Sequence, residues 1–262
     1  LAHRQLEGEL MDDPGVDPRA HANALRGLRR INGLSRTGAA LWPAVERILR
    51  SRPDRPGPPG DPGHSGHSGH PGPPGQPRTL LDIATGGGDV AIALSRQARR
   101  KGYPLTVEGC DISPTALGFA TDQAARASAS VHFFRLDVLS ESFPCHYDII
   151  TATLFLHHLT DGQIVGLLGK LSAHADHVVI SDLIRNRTGY CLATLGTRLL
   201  SRSRIVHVDG LRSVRAALTL AEARGLTHRA GLEGATFRRH WPSRFLMTWS
   251  RCQPASGASH AN

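Results

Sequence analysis

Leu80-Leu81-Asp82-Ile83-Ala84-Thr85-Gly86-Gly87-Gly88-Asp89-Val90-Ala91-Ile92-Ala93-Leu94 is the segment from which the architecture is read. An apolar run ends in an acid and passes through three consecutive glycines. It then changes from continuous to helical hydrophobic spacing, which predicts a buried strand, a tight turn and a helix. Glycines in the turn let the backbone approach a ligand closely, and the free N–H groups opening the helix point at whatever sits over the strand end. The pattern calls for a nucleotide-like ligand.

Downstream, strands alternate with helices, as in a doubly wound α/β sheet. Leu105–Cys110 reads as a second strand delivering Asp111, which follows Gly88 by 23 residues. That is close to the spacing at which an acid meets a ribose hydroxyl pair in such folds. Ser113-Pro114 supplies an N-cap and a first-turn proline for the next helix, which runs to about Ser128. Val131–Leu136 is a third strand leading to Asp137-Val138, Tyr147–Leu154 a fourth, and Val178–Leu183 a fifth. Further on, the spacing predicts a helix over Thr188–Leu200, a turn at Asp209-Gly210, a helix over Ser213–Arg224 ended by Gly225, and end strands at Thr227–Thr236 and Phe245–Trp249.

Two nucleotide classes use a turn of this kind. Gly86, Gly88 and Ala91 satisfy the dinucleotide fingerprint G-x-G-x-x-A. Asp82 argues against it, because a carboxylate at the mouth of the first strand repels a pyrophosphate but suits a ligand that offers an ammonium group. S-adenosylmethionine is such a ligand. Asp82-Ile83-Ala84-Thr85-Gly86-Gly87-Gly88 resembles the first motif of the class I S-adenosylmethionine-dependent methyltransferases, and Ala84 with Asp89 resembles the ubiquinone/menaquinone-biosynthesis type and related small-molecule enzymes.

The resemblance implies a Rossmann-like, seven-stranded mixed sheet with helices on both faces, two antiparallel end strands, and N-terminal helices acting as a lid. It implies cofactor contacts at Asp82, Ala84, Thr85, Gly86, Gly88, Asp111, Ile112, Asp137, Val138, Thr153 and Leu154. Asp137 would meet the adenine amine, and Thr153 and Leu154 would lie beside the sulfonium. The product would be S-adenosylhomocysteine. Three strand-end acids around one cleft are hard to explain without a cationic ligand, because like charges raise one another's pKa.

Phe155-Leu156-His157-His158-Leu159-Thr160-Asp161 resembles the family's L-H-H-L-x-D loop. Displacement at a sulfonium methyl needs donor and acceptor held in line, and a general base only where the acceptor must lose a proton. His157 and His158 are the candidates for that base, since imidazole titrates near neutrality. Alternatively, one of them caps the following helix or packs against the cofactor. The acceptor expected is a small apolar or aromatic molecule methylated at oxygen or carbon. An RNA methyltransferase and a non-enzymatic nucleotide-binding or assembly module are the competing readings.

The formal charge of +9 raises nucleic acid as a partner. Only Lys101 and Lys170 are lysines, so 29 of the 31 basic residues are arginine, and they are scattered through a chain rich in Ala, Gly and Pro. That composition reads as coding bias and disfavours nucleic acid. The four cysteines lack C-x-x-C spacing, so no metal ligands and no disulfide framework are expected. No apolar run is long enough to span a bilayer and no signal sequence is seen, so a cytoplasmic location without membrane insertion is expected.

Residues 1–52 form the expected helical lid, with one helix opening at Asp17-Pro18 and stopping at Asn32-Gly33, and a second capped by Ser35. The same pair would equally serve to cover a sheet edge. Residues 53–78 form a linker in which glycine recurs at 57, 60, 63, 66, 69, 72 and 75. Seven Gly-x-y triplets have the collagen period, but a flexible insertion is expected. His64, His67 and His70 there offer at most an adventitious metal site. The catalytic domain spans 79–252, and 253–262 reads as a disordered tail. The sequence does not set the oligomeric state.

Overall fold

The computed structural model describes residues 1–10, 15, 17–34, 37–51 and 77–251. Ser35, the Gly-x-y triplets with their histidines, and the tail lie outside the described residues. Five parallel strands, β1 (Arg78–Ile83), β2 (Leu105–Asp111), β3 (His132–Arg135), β4 (Tyr147–Thr153) and β5 (Ala175–Leu183), are joined by β6 (Thr236–His240) and β7 (Arg244–Ser250). The sheet runs β3-β2-β1-β4-β5-β7-β6, with β7 antiparallel to both β5 and β6. This is the seven-stranded mixed sheet that the resemblance implies.

Strand order reverses at β1, which pairs with β2 on one side and β4 on the other. The chain leaves β1 and β4 in opposite directions there, so a crevice opens at their carboxyl ends. Asp82 stands in register with Gly109 and Thr151 across that opening.

Alternation along the strands divides the core between two faces. Leu81, Ile83, Ile150, Ala152, Val178 and Ile180 bury one face with α5 (Asp161–His174) and α8 (Leu220–Arg229). Leu80, Ile149 and Val179 bury the other, against α3 (Asp89–Lys101) and against Leu41, Trp42, Val45 and Ile48 of α2 (Thr37–Arg50). α2 is thus a full core layer. α1 (Pro18–Leu34) buries Ala24 and Leu25 and lines the cavity with Leu25 and Ile31.

The helix predicted after β2 is α4 (Pro114–Arg126), and Ser113 accepts from the Ala116 N–H as its N-cap. α5 opens on a capping box of Thr160 and Gln163. α6 (Arg187–Leu200) fits the predicted span, whereas the segment after it departs from the sequence reading.

Asp209-Gly210 is not a turn; both residues lie inside α7 (Arg204–Ala216). A Cβ on Gly210 would fall 2.6 Å from Thr197 Cγ2, so this glycine permits close packing of α6 on α7. Asp209 is buried and accepts from the Leu10 N–H at 2.8 Å. The break instead falls before Thr219, whose capping box with Glu222 starts α8. Gly225 does not end that helix, because Ala223, Leu226 and Thr227 bury one face across it. The strand expected over Thr227–Thr236 is correspondingly absent among the described residues, with only β6 starting at Thr236. α1 also runs through Asn32-Gly33 to Leu34. Among the described residues, no helix is long and apolar enough to cross a membrane.

Candidate active site

The turn after β1 is built from left-handed backbone. Ala84 has φ 47°, Gly86 φ 52° and Gly88 φ 74°. Alanine in this region costs roughly 1–2 kcal/mol, which the surrounding hydrogen bonds must overcome. They include Thr85 N–H to Cys110 O at 3.0 Å and Gly88 N–H to Thr85 O at 2.9 Å.

Asp111 ties this turn to the next one. Its Oδ2 accepts from the Gly86 N–H at 2.8 Å and its Oδ1 from the Ser113 N–H at 2.9 Å. Asp82 is buried and accepts from the hydroxyls of Thr85 and Thr151, each at 2.7 Å. Burial raises its pKa to about 7, against the lowering effect of the two hydroxyls. Asp137 is exposed to the cavity and accepts from the Leu139 N–H at 3.0 Å and the Ser140 hydroxyl at 2.6 Å, which hold its carboxyl below the usual range. Each carboxylate has acceptor capacity beyond these bonds.

All three acids line one cavity of about 1080 Å³. Ala84, Thr85, Gly86, Ile112, Val138, Thr153, Leu154, His157 and His158 line it too. Gly88 does not: a Cβ there would lie 2.8 Å from both Ala120 Cβ and Phe133 Cζ, so it serves the packing of the turn. At the end of β4, Leu154 is left-handed at φ 55°. The buried Thr153 hydroxyl beside it has no hydrogen-bond partner among the described residues. A buried polar group in that state calls for a partner, which an ordered water or a ligand atom at the cavity wall would supply. The far side of the cavity is apolar, walled by Leu25 and Ile31 of α1, Leu192 of α6, and Val206 and Val214 of α7.

The short 3-10 turn Leu156–His158 places two histidines at this wall. His157 is buried, and its Nδ1 lies 2.6 Å from Oδ1 of Asp182 at the end of β5. The backbone N–H of His157 donates to Asp182 Oδ2 at 3.2 Å. Glu9 Oε1 sits 3.7 Å from His157 Nε2 and 3.9 Å from His158 Nε2. Burial alone would lower the His157 pKa, but the charge and hydrogen bond of Asp182, joined by Glu9, lift it to about 10. Burial likewise works against ionised Asp182 and Glu9, and the histidines hold both below the usual carboxylate range.

Glu9 reaches this position because residues 1–10 are stitched down along the chain. Arg4 donates to Ala216 O at 2.6 Å, Leu159 O at 2.7 Å and Leu156 O at 3.1 Å, and pairs with Asp161 at 2.9 Å. The Gln5 N–H donates to Arg215 O at 3.1 Å, and the Ser213 hydroxyl donates to Glu9 itself. Sequence reading named neither Glu9 nor Asp182. Asp182 was visible as a strand-end acid, whereas nothing local to Glu9 tells of contact with residues so far along the chain.

A protein-family model described as a methyltransferase domain matches residues 80–176. A ubiquinone biosynthesis O-methyltransferase of Pectobacterium atrosepticum is 27% identical over 131 residues, covering 47% of this chain and 50% of the relative. The chain thus spans about half the length of that relative. Among solved structures, an O-methyltransferase family 2 protein from Planctomyces limnophilus, in complex with apigenin, superposes with a TM-score of 0.55 at 20% identity, covering 92% of this chain and 63% of that one. Magnesium protoporphyrin IX methyltransferase from Synechocystis, with bound S-adenosylhomocysteine, gives 0.52 at 14% identity, covering 92% and 91%. At these identities the two structures speak for the fold.

Proposed function

We propose that this chain, whose residues 80–176 match a methyltransferase domain, is a class I S-adenosylmethionine-dependent methyltransferase that methylates a small apolar or aromatic acceptor at oxygen or carbon. The observation that carries this reading is that Asp82, Asp111 and Asp137 open on one cavity whose other half is apolar. Pockets for a single drug-sized ligand measure roughly 300–1,000 Å³, so this one has room for a cofactor and an acceptor together.

The donor set fits S-adenosylmethionine. Asp82 would hold the ammonium group, Asp111 the ribose diol and Asp137 the adenine amine, with the Thr153 hydroxyl toward the reacting end. When bound, the cofactor supplies a methyl group on a sulfonium that leaves readily. Bound there, it would let an acceptor atom bond to the methyl carbon as the carbon–sulfur bond breaks, with the electron pair left on sulfur as S-adenosylhomocysteine. The acceptor's proton leaves to the Glu9, His157 and His158 group, in which Asp182 fixes the orientation of the His157 ring. α1 excludes water above the acceptor as a lid. The bound apigenin of the Planctomyces limnophilus protein and the ubiquinone-biosynthesis relative both favour an aromatic acceptor.

Calorimetric titration of the folded chain with S-adenosylhomocysteine tests the cofactor assignment. One site with micromolar affinity is expected, and no heat of binding at millimolar ligand would reject it. Incubation with isotopically labelled methyl donor and a panel of phenols and quinols then identifies the acceptor by mass.

Asp82 adds a pH signature. Its pKa of about 7 in the folded chain exceeds the unfolded value, so the folded state holds the extra proton between about pH 4 and pH 7. Stability of the ligand-free protein is therefore expected to fall as pH rises through that window. A ligand ammonium favours the ionised form, so S-adenosylhomocysteine affinity should rise from pH 6 to pH 8. Asp82→Asn should flatten the rise; the same slope in wild type and variant would remove Asp82 from the ammonium subsite.

A further inference from the structure

We propose that Glu9, His157 and His158 form a binding site for one first-row divalent cation at the acceptor end of the cavity. One ligand atom from each of Glu9, His157 and His158 lies within 4.8 Å of the others, and Glu9 Oε1 is 3.7 Å from His157 Nε2 and 3.9 Å from His158 Nε2. Two imidazoles and one carboxylate are the donor set of zinc, manganese, iron(II) and cobalt(II) sites, and are too nitrogen-rich for calcium or magnesium.

The spacing suits such an ion. Tetrahedral bonds of about 2.1 Å set ligand atoms roughly 3.4 Å apart. The 3.7 Å and 3.9 Å separations from Glu9 are a few tenths of an ångström wider, so side-chain adjustment closes them.

The surroundings are those of a held site. Asp182 takes the Nδ1 side of His157 at 2.6 Å, which leaves Nε2 as the ligating nitrogen and reproduces the carboxylate–histidine–metal arrangement. The two rings lie 4.4 Å apart between centroids, on consecutive residues of one short turn. Ser213 donates to Glu9, and Arg4 anchors the segment that carries it through Leu159 O. His158 keeps 25% of its side chain exposed, and all three residues line the cavity, so the ion's remaining positions face the acceptor. With the ion bound, these three side chains are ligands and no longer take the acceptor's proton; the ion would instead polarise an acceptor hydroxyl, and the proton would go to solvent before oxygen attacks the methyl carbon. That catalytic use rests on the methyltransferase reading above; the binding of the ion does not.

The test uses the full chain in which His64, His67 and His70 are replaced by alanine, freed of metal with a chelator and titrated with Zn²⁺ or Co²⁺. One equivalent binding with micromolar affinity or tighter is expected, with visible cobalt d–d bands of low coordination number. Glu9→Gln and His158→Ala should each weaken binding at least tenfold, and Asp182→Asn by about 10–100-fold. Imidazole ¹⁵N correlation spectra of the unsubstituted ligand set should show Zn²⁺ moving Nε2 of His157 and His158, a readout independent of whether any variant folds. Absence of binding at millimolar metal, equal affinity in the variants, or perturbation of other histidines instead would each overturn the site. S-adenosylhomocysteine titrations of the same samples separate the two proposals: cofactor binding without metal binding defeats only this one, and metal binding without cofactor binding defeats only the methyltransferase reading.

Discussion

Replacing His157 with alanine is expected to lower methyl transfer by about 10²–10⁴-fold, the range lost when a positioned proton-handling group is removed. The same substitution should also destabilise the protein. Asp182 is 1% exposed, and its closest side-chain partner in the structure is the His157 ring. Breaking a buried ion pair from one side costs about 3–5 kcal/mol, because the remaining charge is left without compensation. Loss of activity through unfolding and loss through chemistry would then be confounded, and a second substitution separates them. Asp182→Asn in the His157→Ala background removes the orphaned charge, so urea or thermal unfolding should recover much of the lost stability. Methyl transfer, measured with the acceptor found by isotope labelling, should stay at the level of the single variant. If activity returned together with stability, His157 would be a structural residue and the proton would leave by another route.

That test concerns a cluster only half visible in the sequence. The strand-end acids were legible because each strand that precedes them is an apolar run bounded by turn residues, and parallel strands bring their carboxyl ends to one edge. Asp82, Asp111 and Asp137 therefore meet at one cavity as the pattern requires. The two histidines were legible from the loop after β4. Glu9 was not: it is held by long-range bonds such as Arg4 to Leu159 O and Leu10 N–H to Asp209, and no periodicity in residues 1–10 encodes them.

The misreading after α6 has the same origin. Asp209-Gly210 has the composition of a turn, but its glycine answers to Thr197 on the neighbouring helix and its aspartate to the N-terminal segment. Local chemistry predicts a turn there, and tertiary packing overrides it. Gly225 shows the same conflict inside α8, where burial of Leu226 and Thr227 outweighs roughly 1 kcal/mol of glycine penalty.

The glycines of the first turn carry an analogous ambiguity, and they yield the second large effect. Gly86 and Gly88 both have positive φ, so either substituted by alanine incurs a left-handed cost of about 1–2 kcal/mol. Their surroundings differ. A Cβ at Gly86 meets nothing within 4 Å and projects into the cavity, whereas one at Gly88 meets Ala120 Cβ and Phe133 Cζ at 2.8 Å. Ala120 is fully buried on α4 and cannot swing aside, so overpacking adds about 1–3 kcal/mol at Gly88. Gly88→Ala is therefore expected to destabilise the fold by about 2–5 kcal/mol. Gly86→Ala should cost only the backbone share while weakening S-adenosylhomocysteine by about tenfold, equivalent to 1.4 kcal/mol of lost contact. The left-handed Ala84 in the same turn shows that the chain accepts a Cβ in this conformation when space allows. Denaturant midpoints and cofactor titrations on the two variants should move in opposite orders. Equal loss of stability at both positions would mean that backbone strain, and not the approach of Phe133 and Ala120, is what requires glycine at 88.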